Sequence, residues 1–245
     1  MGLGLDYSLL LGLASFLTGG LTAVVGVGGG VALLAVMASL LPGPAIIPLH
    51  GFAQAYANSV RAGLNHRHIQ WPVVSAFMVG MVLGTILAGF LVVNLPPSVI
   101  KIGLGVFVVI QTTGLLPASL FVKPGQRLLS SISIGVMSMF FGAPGPLVAA
   151  AIHQMGVEKQ GYNGTHAMVM VVLHGSKLVT FLLLGFAYMA YLDAIIAIVI
   201  GSTLGTLIGQ QLMTRLSPNI FRKGLTIVLV LIGVQLVGSG LYSIL

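Results

Sequence analysis

The sequence predicts an all-α polytopic membrane protein made of two inverted repeats, each a broken re-entrant helix hairpin followed by three transmembrane helices. Three observations carry the prediction. The chain has too little charge to wet a protein surface, its apolar runs are long enough to span a bilayer, and its helix breaks, prolines and cations recur in one order.

Apolar residues fill 57% of the 245 positions and charged residues only 5%, with a mean hydropathy of +1.12. A soluble domain carries roughly 25% charged residues. Thirteen charged side chains suffice only if most of the surface faces lipid. The net charge of +7 comes from single, scattered Lys and Arg, so no basic run points to nucleic acid. These cations read instead as topology signals in cytoplasmic loops. The chain has no cysteine, which removes disulfides, thiol catalysis and cysteine metal sites. The N-terminus, MGLGLDYSLL, has no basic n-region, so a cleaved signal peptide is not expected.

Apolar runs of about 18 or more residues are read as spanning helices. In order they fall near 7–25, 45–64, 72–93, 98–121, 128–141, 162–187, 193–213 and 221–243. Between them lie turn signals such as Pro42-Gly43-Pro44, Pro96-Pro97, Lys123-Pro124-Gly125 and Ser217-Pro218-Asn219. Two places cannot be continuous helix. Gly26-Val27-Gly28-Gly29-Gly30 precedes a short apolar piece at 31–41, and Gly142-Ala143-Pro144-Gly145-Pro146 precedes another at 147–155. Glycine weakens a helix through backbone entropy; proline removes an N–H and clashes with the preceding turn. Each place reads as helix, break, half-helix.

The breaks are copies of one another. Gly26 and Gly142 are 116 positions apart, as are His50 and His166, and Arg61 and Lys177. Residues 80–104 match 201–225 with nine identities in 25, among them Gly84/Gly205, Thr85/Thr206 and Pro97/Pro218. Repeat 1 covers 5–121 and repeat 2 covers 125–245, within a single membrane transport domain, 1–245. One hairpin plus three crossings inverts the second copy. Arg61, Arg67, Lys123, Arg127, Lys159, Arg215, Arg222 and Lys223 then share one face, which the positive-inside rule makes cytoplasmic. Both termini would face outward. A parallel repeat would split these cations between the two faces.

In inverted-repeat transporters, sites form near the midplane where half-helix N-termini present unpaired N–H groups and partial positive charge. Gly28, Gly29, Gly30 and Gly145 are therefore candidate substrate-binding residues; tight helix packing is the competing use for such glycines. On the helix 45–64, His50, Gln54, Asn58 and Arg61 recur at spacings of 4, 4 and 3, so they share one face. The copy carries His166, Met170, His174 and Lys177. Polar groups inside a span face a bundle interior or a cavity, because lipid exposure is costly. The substrate-binding candidates on these stripes are His50, Gln54, Asn58, Arg61, His174 and Lys177. Interhelical hydrogen bonding is the alternative for each. Lys177 stands about 22 Å along its helix with no acidic neighbour in sequence, so it reads as an anion ligand or as a snorkelling cation. If protons are coupled to transport, His50, His166 or His174 must carry them.

The GVGGG motif at 26–30, His50-Gly51 opening the next span, the two-fold repeat and the chain length together resemble the TauE/SafE family of sulfite exporters, also called the toluene-sulfonate uptake permease family. The sequence departs from the family in two places. VALLAVMASLL separates Gly30 from Pro42, and the second motif is GAPGP. The resemblance implies secondary transport of a small sulfur oxyanion, such as sulfite, sulfoacetate or another organosulfonate, across the cytoplasmic membrane. An anion channel with the same breaks as its filter, or a carrier of a small carboxylate, are the alternatives. No Ser/His pair at an established motif, HExxH or paired aspartates are present, so no enzyme, catalytic residue, metal site or cofactor is expected. The expected partners are a small anionic substrate and the lipid bilayer, with no nucleic acid; a homodimer is compatible with this reading.

Overall fold

Each apolar run is mostly helical in the computed structural model, the run read as 162–187 ending as helix at Leu183; the structure describes residues 4–25, 28–92, 94–115, 125–142, 144–212 and 218–244. The helices are α1 (Leu5–Val25), α2 (Gly29–Leu40), α3 (Gly43–Leu64), α4 (Trp71–Val92) and α5 (Pro97–Thr113), followed by α6 (Arg127–Phe141), α7 (Gly145–Gln154), α8 (Lys159–Leu183), α9 (Leu192–Leu212) and α10 (Pro218–Tyr242). The described residues contain no strand.

The run read as extending to 121 ends as helix at Thr113, where Gly114 turns left-handed with φ 71; residues 116–124 lie outside the described set. Short 3-10 turns at His66–His68 and Tyr188–Tyr191 join α3 to α4 and α8 to α9.

Both breaks turn through glycine. Gly28 has φ 100 and Gly142 has φ 78, a backbone region that side-chain-bearing residues rarely occupy. Gly26, Val27 and Ala143 lie outside the described residues. α2 and α7 begin at Gly29 and Gly145, two residues before the positions expected from the apolar pattern.

α1, α4, α8 and the segment Tyr188–Gln211 are long and apolar enough to cross a bilayer. α3 is as long as α4 but carries the polar stripe. The exterior is apolar, as shown by Val79, Leu87, Phe90 and Leu91 on α4 and Ile200 on α9, each more than half exposed. Scattered apolar residues on a surface mean little, but a continuous belt of them on a chain with 5% charge marks a lipid-facing wall.

The helices pack in matched pairs: α1 on α9, α4 on α6, α3 on α8 and α5 on α10. Glycine allows the closest approaches. A Cβ at Gly205 would run into the Phe16 carbonyl, and one at Gly84 into the Ile132 carbonyl. One turn earlier, Gly201 meets the Gly12 carbonyl, while a Cβ at Gly80 would lie 2.9 Å from the Leu128 carbonyl. Small residues of this kind let membrane helices meet backbone to backbone, where dispersion contacts replace the missing hydrophobic drive.

Candidate anion-binding site

α2 starts beside the middle of α3. A Cβ at Gly30 would stand 2.9 Å from Gln54 Oε1, so only glycine leaves this amide its place against the start of α2. The Ala32 N–H donates to the Gly28 carbonyl at 3.0 Å. The N–H groups of Gly29, Gly30 and Val31 thus precede the first intrahelical bond, where an α-helix leaves donors for an outside partner. α7 offers fewer, because Pro144 and Pro146 have no N–H and Gly145 alone supplies one before the bonds to the Pro144 carbonyl begin.

A cavity of about 20 Å³ lies between the two starts, lined by Thr22, Gly28, Gly30, Val31, Gln54, Asn58, Arg61, Gly145, Pro146, His166, Met170 and His174. Space of that size takes about one water, so an oxyanion needs the hairpin tips to part slightly. A second small cavity on the other side of the α3 stripe shares Gln54, Asn58 and Arg61 and adds the hydroxyls of Ser15, Thr18, Ser202 and Thr206. Ser15 Oγ and Thr206 Oγ1 are buried there without a hydrogen-bond partner.

The α3 stripe is internally braced. Arg61 Nη1 donates to Asn58 Oδ1 at 3.1 Å, and Asn58 Nδ2 donates to the Gln54 carbonyl at 2.8 Å. Arg61 is 6% exposed and is the one charged side chain among the residues lining either cavity. No carboxylate stands among them, so the local field is positive: a guanidinium plus the partial charge of two helix starts.

The repeat-related histidines hold the helix starts. His50 Nε2 donates to the Gly30 carbonyl at 2.9 Å, and His166 Nε2 to the Gly145 carbonyl at 3.3 Å. A carbonyl only accepts, so each ring carries a proton on Nε2, while Nδ1 is buried without a partner. His174 differs. It is fully buried, meets His50 edge-on with ring centroids 5.7 Å apart, and neither of its ring nitrogens has a partner.

Of the ten residues singled out in the sequence, seven line the first cavity: Gly28, Gly30, Gln54, Asn58, Arg61, Gly145 and His174. Three stand elsewhere. Gly29 packs against Thr18 and Thr22. His50 stands behind the Gly30 carbonyl. Lys177 is 0% exposed and donates to the carbonyls of Ser138 at 3.1 Å and Gly142 at 2.9 Å. Its ammonium therefore closes the end of α6, where the Ser138 carbonyl also accepts from the Gly142 N–H, and it does not reach lipid headgroups by snorkelling.

The family model for sulfite exporter TauE/SafE matches residues 11–236. The chain belongs to the TauE/SafE family. No curated protein and no solved structure matches it. The TauE/SafE proteins are membrane transporters, which fits the apolar exterior and the polar interior. In this TauE/SafE chain the match runs through both helix breaks and both stripes.

Sequence reasoning left Thr22, Val31, Pro146, His166 and Met170 out of the binding candidates, with His166 named only on the stripe and as a proton carrier. Thr22 had a readable signal, since Ser15, Thr18 and Thr22 recur at spacings of 3 and 4 in an otherwise apolar helix. Val31, Pro146 and Met170 gave none, because apolar residues in a span are the rule.

Proposed function

We propose that this chain is a secondary transporter of a small sulfur oxyanion, sulfite or an organosulfonate, bound between the starts of α2 and α7. One observation carries the reading: two half-helix starts and a buried arginine line one interior cavity that has no carboxylate. Oxygens of the anion would accept from Arg61, from the N–H groups of the first turn of α2 and from His174. Because α7 has lost donors to Pro144 and Pro146, the anion rests more on α2.

An inverted two-fold arrangement is part of this proposal. Its support is that α4 of the first half packs on α6 of the second, while α9 of the second packs on α1 of the first. The contacts also correspond: Gly80 with Leu128 and Gly84 with Ile132 in one pair, Gly201 with Gly12 and Gly205 with Phe16 in the other. With the cation distribution in the sequence, the proposed arrangement has both termini outside the cytoplasmic membrane.

The cavity favours a carrier over a channel, since a space of about one water cannot serve as a fixed filter for an oxyanion. The test is a thermal-shift screen of purified protein against sulfite, thiosulfate, sulfoacetate, isethionate, taurine and carboxylate controls, followed by counterflow in proteoliposomes. A sulfur oxyanion should stabilise the protein and show saturable counterflow. Stabilisation by carboxylates alone would refute the substrate class; large single-channel currents would refute the carrier.

A further inference from the structure

We propose that His174 takes up a proton when a divalent oxyanion binds, so that anion and proton cross together. The inference rests on the anion site proposed above and assigns the coupling ion to a named atom group.

One face of α8 carries titratable side chains at four of six positions. Tyr162, His166, Met170, His174, Lys177 and Phe181 follow one another at spacings of 4, 4, 4, 3 and 4. At one end Tyr162 stacks on His166 with centroids 5.7 Å apart. At the other, Phe181 lines a cavity of about 170 Å³ formed with Ile47, Pro48 and Phe186 at the far end of the bundle. His174 stands mid-column, where α8 meets the central cavity.

Its neighbours His50 and His166 each have one ring nitrogen engaged, and His174 has none. His50 and His166 each commit Nε2 to a carbonyl. Lys177, one turn away on α8, commits its ammonium to the end of α6. Arg61 faces the same cavity from α3, and α2 and α7 contribute no titratable side chain to it. Lys177, His50 and His166 are the groups that act electrostatically on His174. A buried imidazole with two unpartnered nitrogens leaves polar atoms unsatisfied, which native interiors seldom tolerate without a role.

Charge matching supplies that role. Arg61 alone balances a monovalent sulfonate. A divalent anion such as sulfite needs a second positive charge; His166 and His174 both line the cavity, and His174 is the one of the two with both ring nitrogens unpartnered. A proton from water, or from bisulfite itself, moves to a ring nitrogen of His174, and the resulting N–H donates to an anion oxygen. On release the proton leaves with the anion. Linkage makes the effect reciprocal, so the protonated form binds the dianion more tightly and the dianion draws in the proton.

The test is isothermal calorimetry of sulfite and isethionate binding at neutral pH, in buffers of different ionisation enthalpy, corrected for the protonation of sulfite in solution. Wild-type protein should take up about one proton per sulfite and close to none per isethionate. His174→Gln should bind sulfite more weakly and lose the uptake, whereas His153→Gln, exposed at the end of α7, should keep it. No proton uptake by wild-type protein that binds sulfite overturns the inference, as does unchanged uptake in His174→Gln. The wild-type measurement decides even if the variants fail to fold. Absence of binding by either anion would overturn the anion site itself, and the inference with it.

Discussion

Arg61→Met removes the fixed positive charge from the central cavity while keeping a long, flexible, apolar stem of similar reach. Arg61 is 6% exposed, so an anion beside it meets a guanidinium largely stripped of water. Truncating one partner of a buried hydrogen-bonded charge pair costs about 2–5 kcal/mol. A mid-range loss of about 3 kcal/mol weakens binding by roughly 150-fold. Loss of the fold should not mimic this result, because Asn58 still donates to the Gln54 carbonyl and a desolvated charge has been removed. Arg61→Lys keeps the charge but loses the planar fork that reaches Asn58 Oδ1 and an oxyanion together, so its loss should be intermediate, about ten-fold. Calorimetry with sulfite on monodisperse detergent-purified protein reads both variants. Sulfite affinity in Arg61→Met within about three-fold of wild type, some 0.7 kcal/mol, would refute the placement of the anion beside Arg61.

Lys177→Met makes the opposite test: it strips the donor from the Ser138 and Gly142 carbonyls and should lower the melting temperature by several degrees, while sulfite binding by the folded fraction stays near wild type. Loss of binding with an unchanged melting temperature would make Lys177 a ligand instead. Gly205→Leu should abolish monodisperse protein in size-exclusion chromatography, because its side chain meets the Phe16 backbone where α9 touches α1; Gly63→Ala, with nothing within 4 Å of its Cβ, should elute as wild type.

The stripe on α3 could be read from spacing alone, because positions 50, 54, 58 and 61 share a helical face wherever that helix goes. Spacing could not say which polar atoms were already engaged. Arg61 and Lys177 occupy equivalent places in the repeat and look alike in the sequence, yet one lines the cavity and the other closes the end of α6. The difference arises from where α6 stops, at Gly142, which brings the Ser138 and Gly142 carbonyls to the ammonium. Likewise His50, His166 and His174 are three similar residues until α2 and α7 present a carbonyl to the first two and none to the third.

The sequence by itself determined that this is a helical membrane protein, because 5% charge cannot wet a surface of this size. It also determined where the helices break, since glycine and proline act on the backbone locally. Tertiary structure decided which candidates meet. The close approach of α1 to α9 and of α4 to α6 through glycine, and of α3 to α8, brings positions more than 100 residues apart, Gly30 and Gly145 among them, onto one small cavity. That convergence depends on long-range packing, which no local pattern encodes.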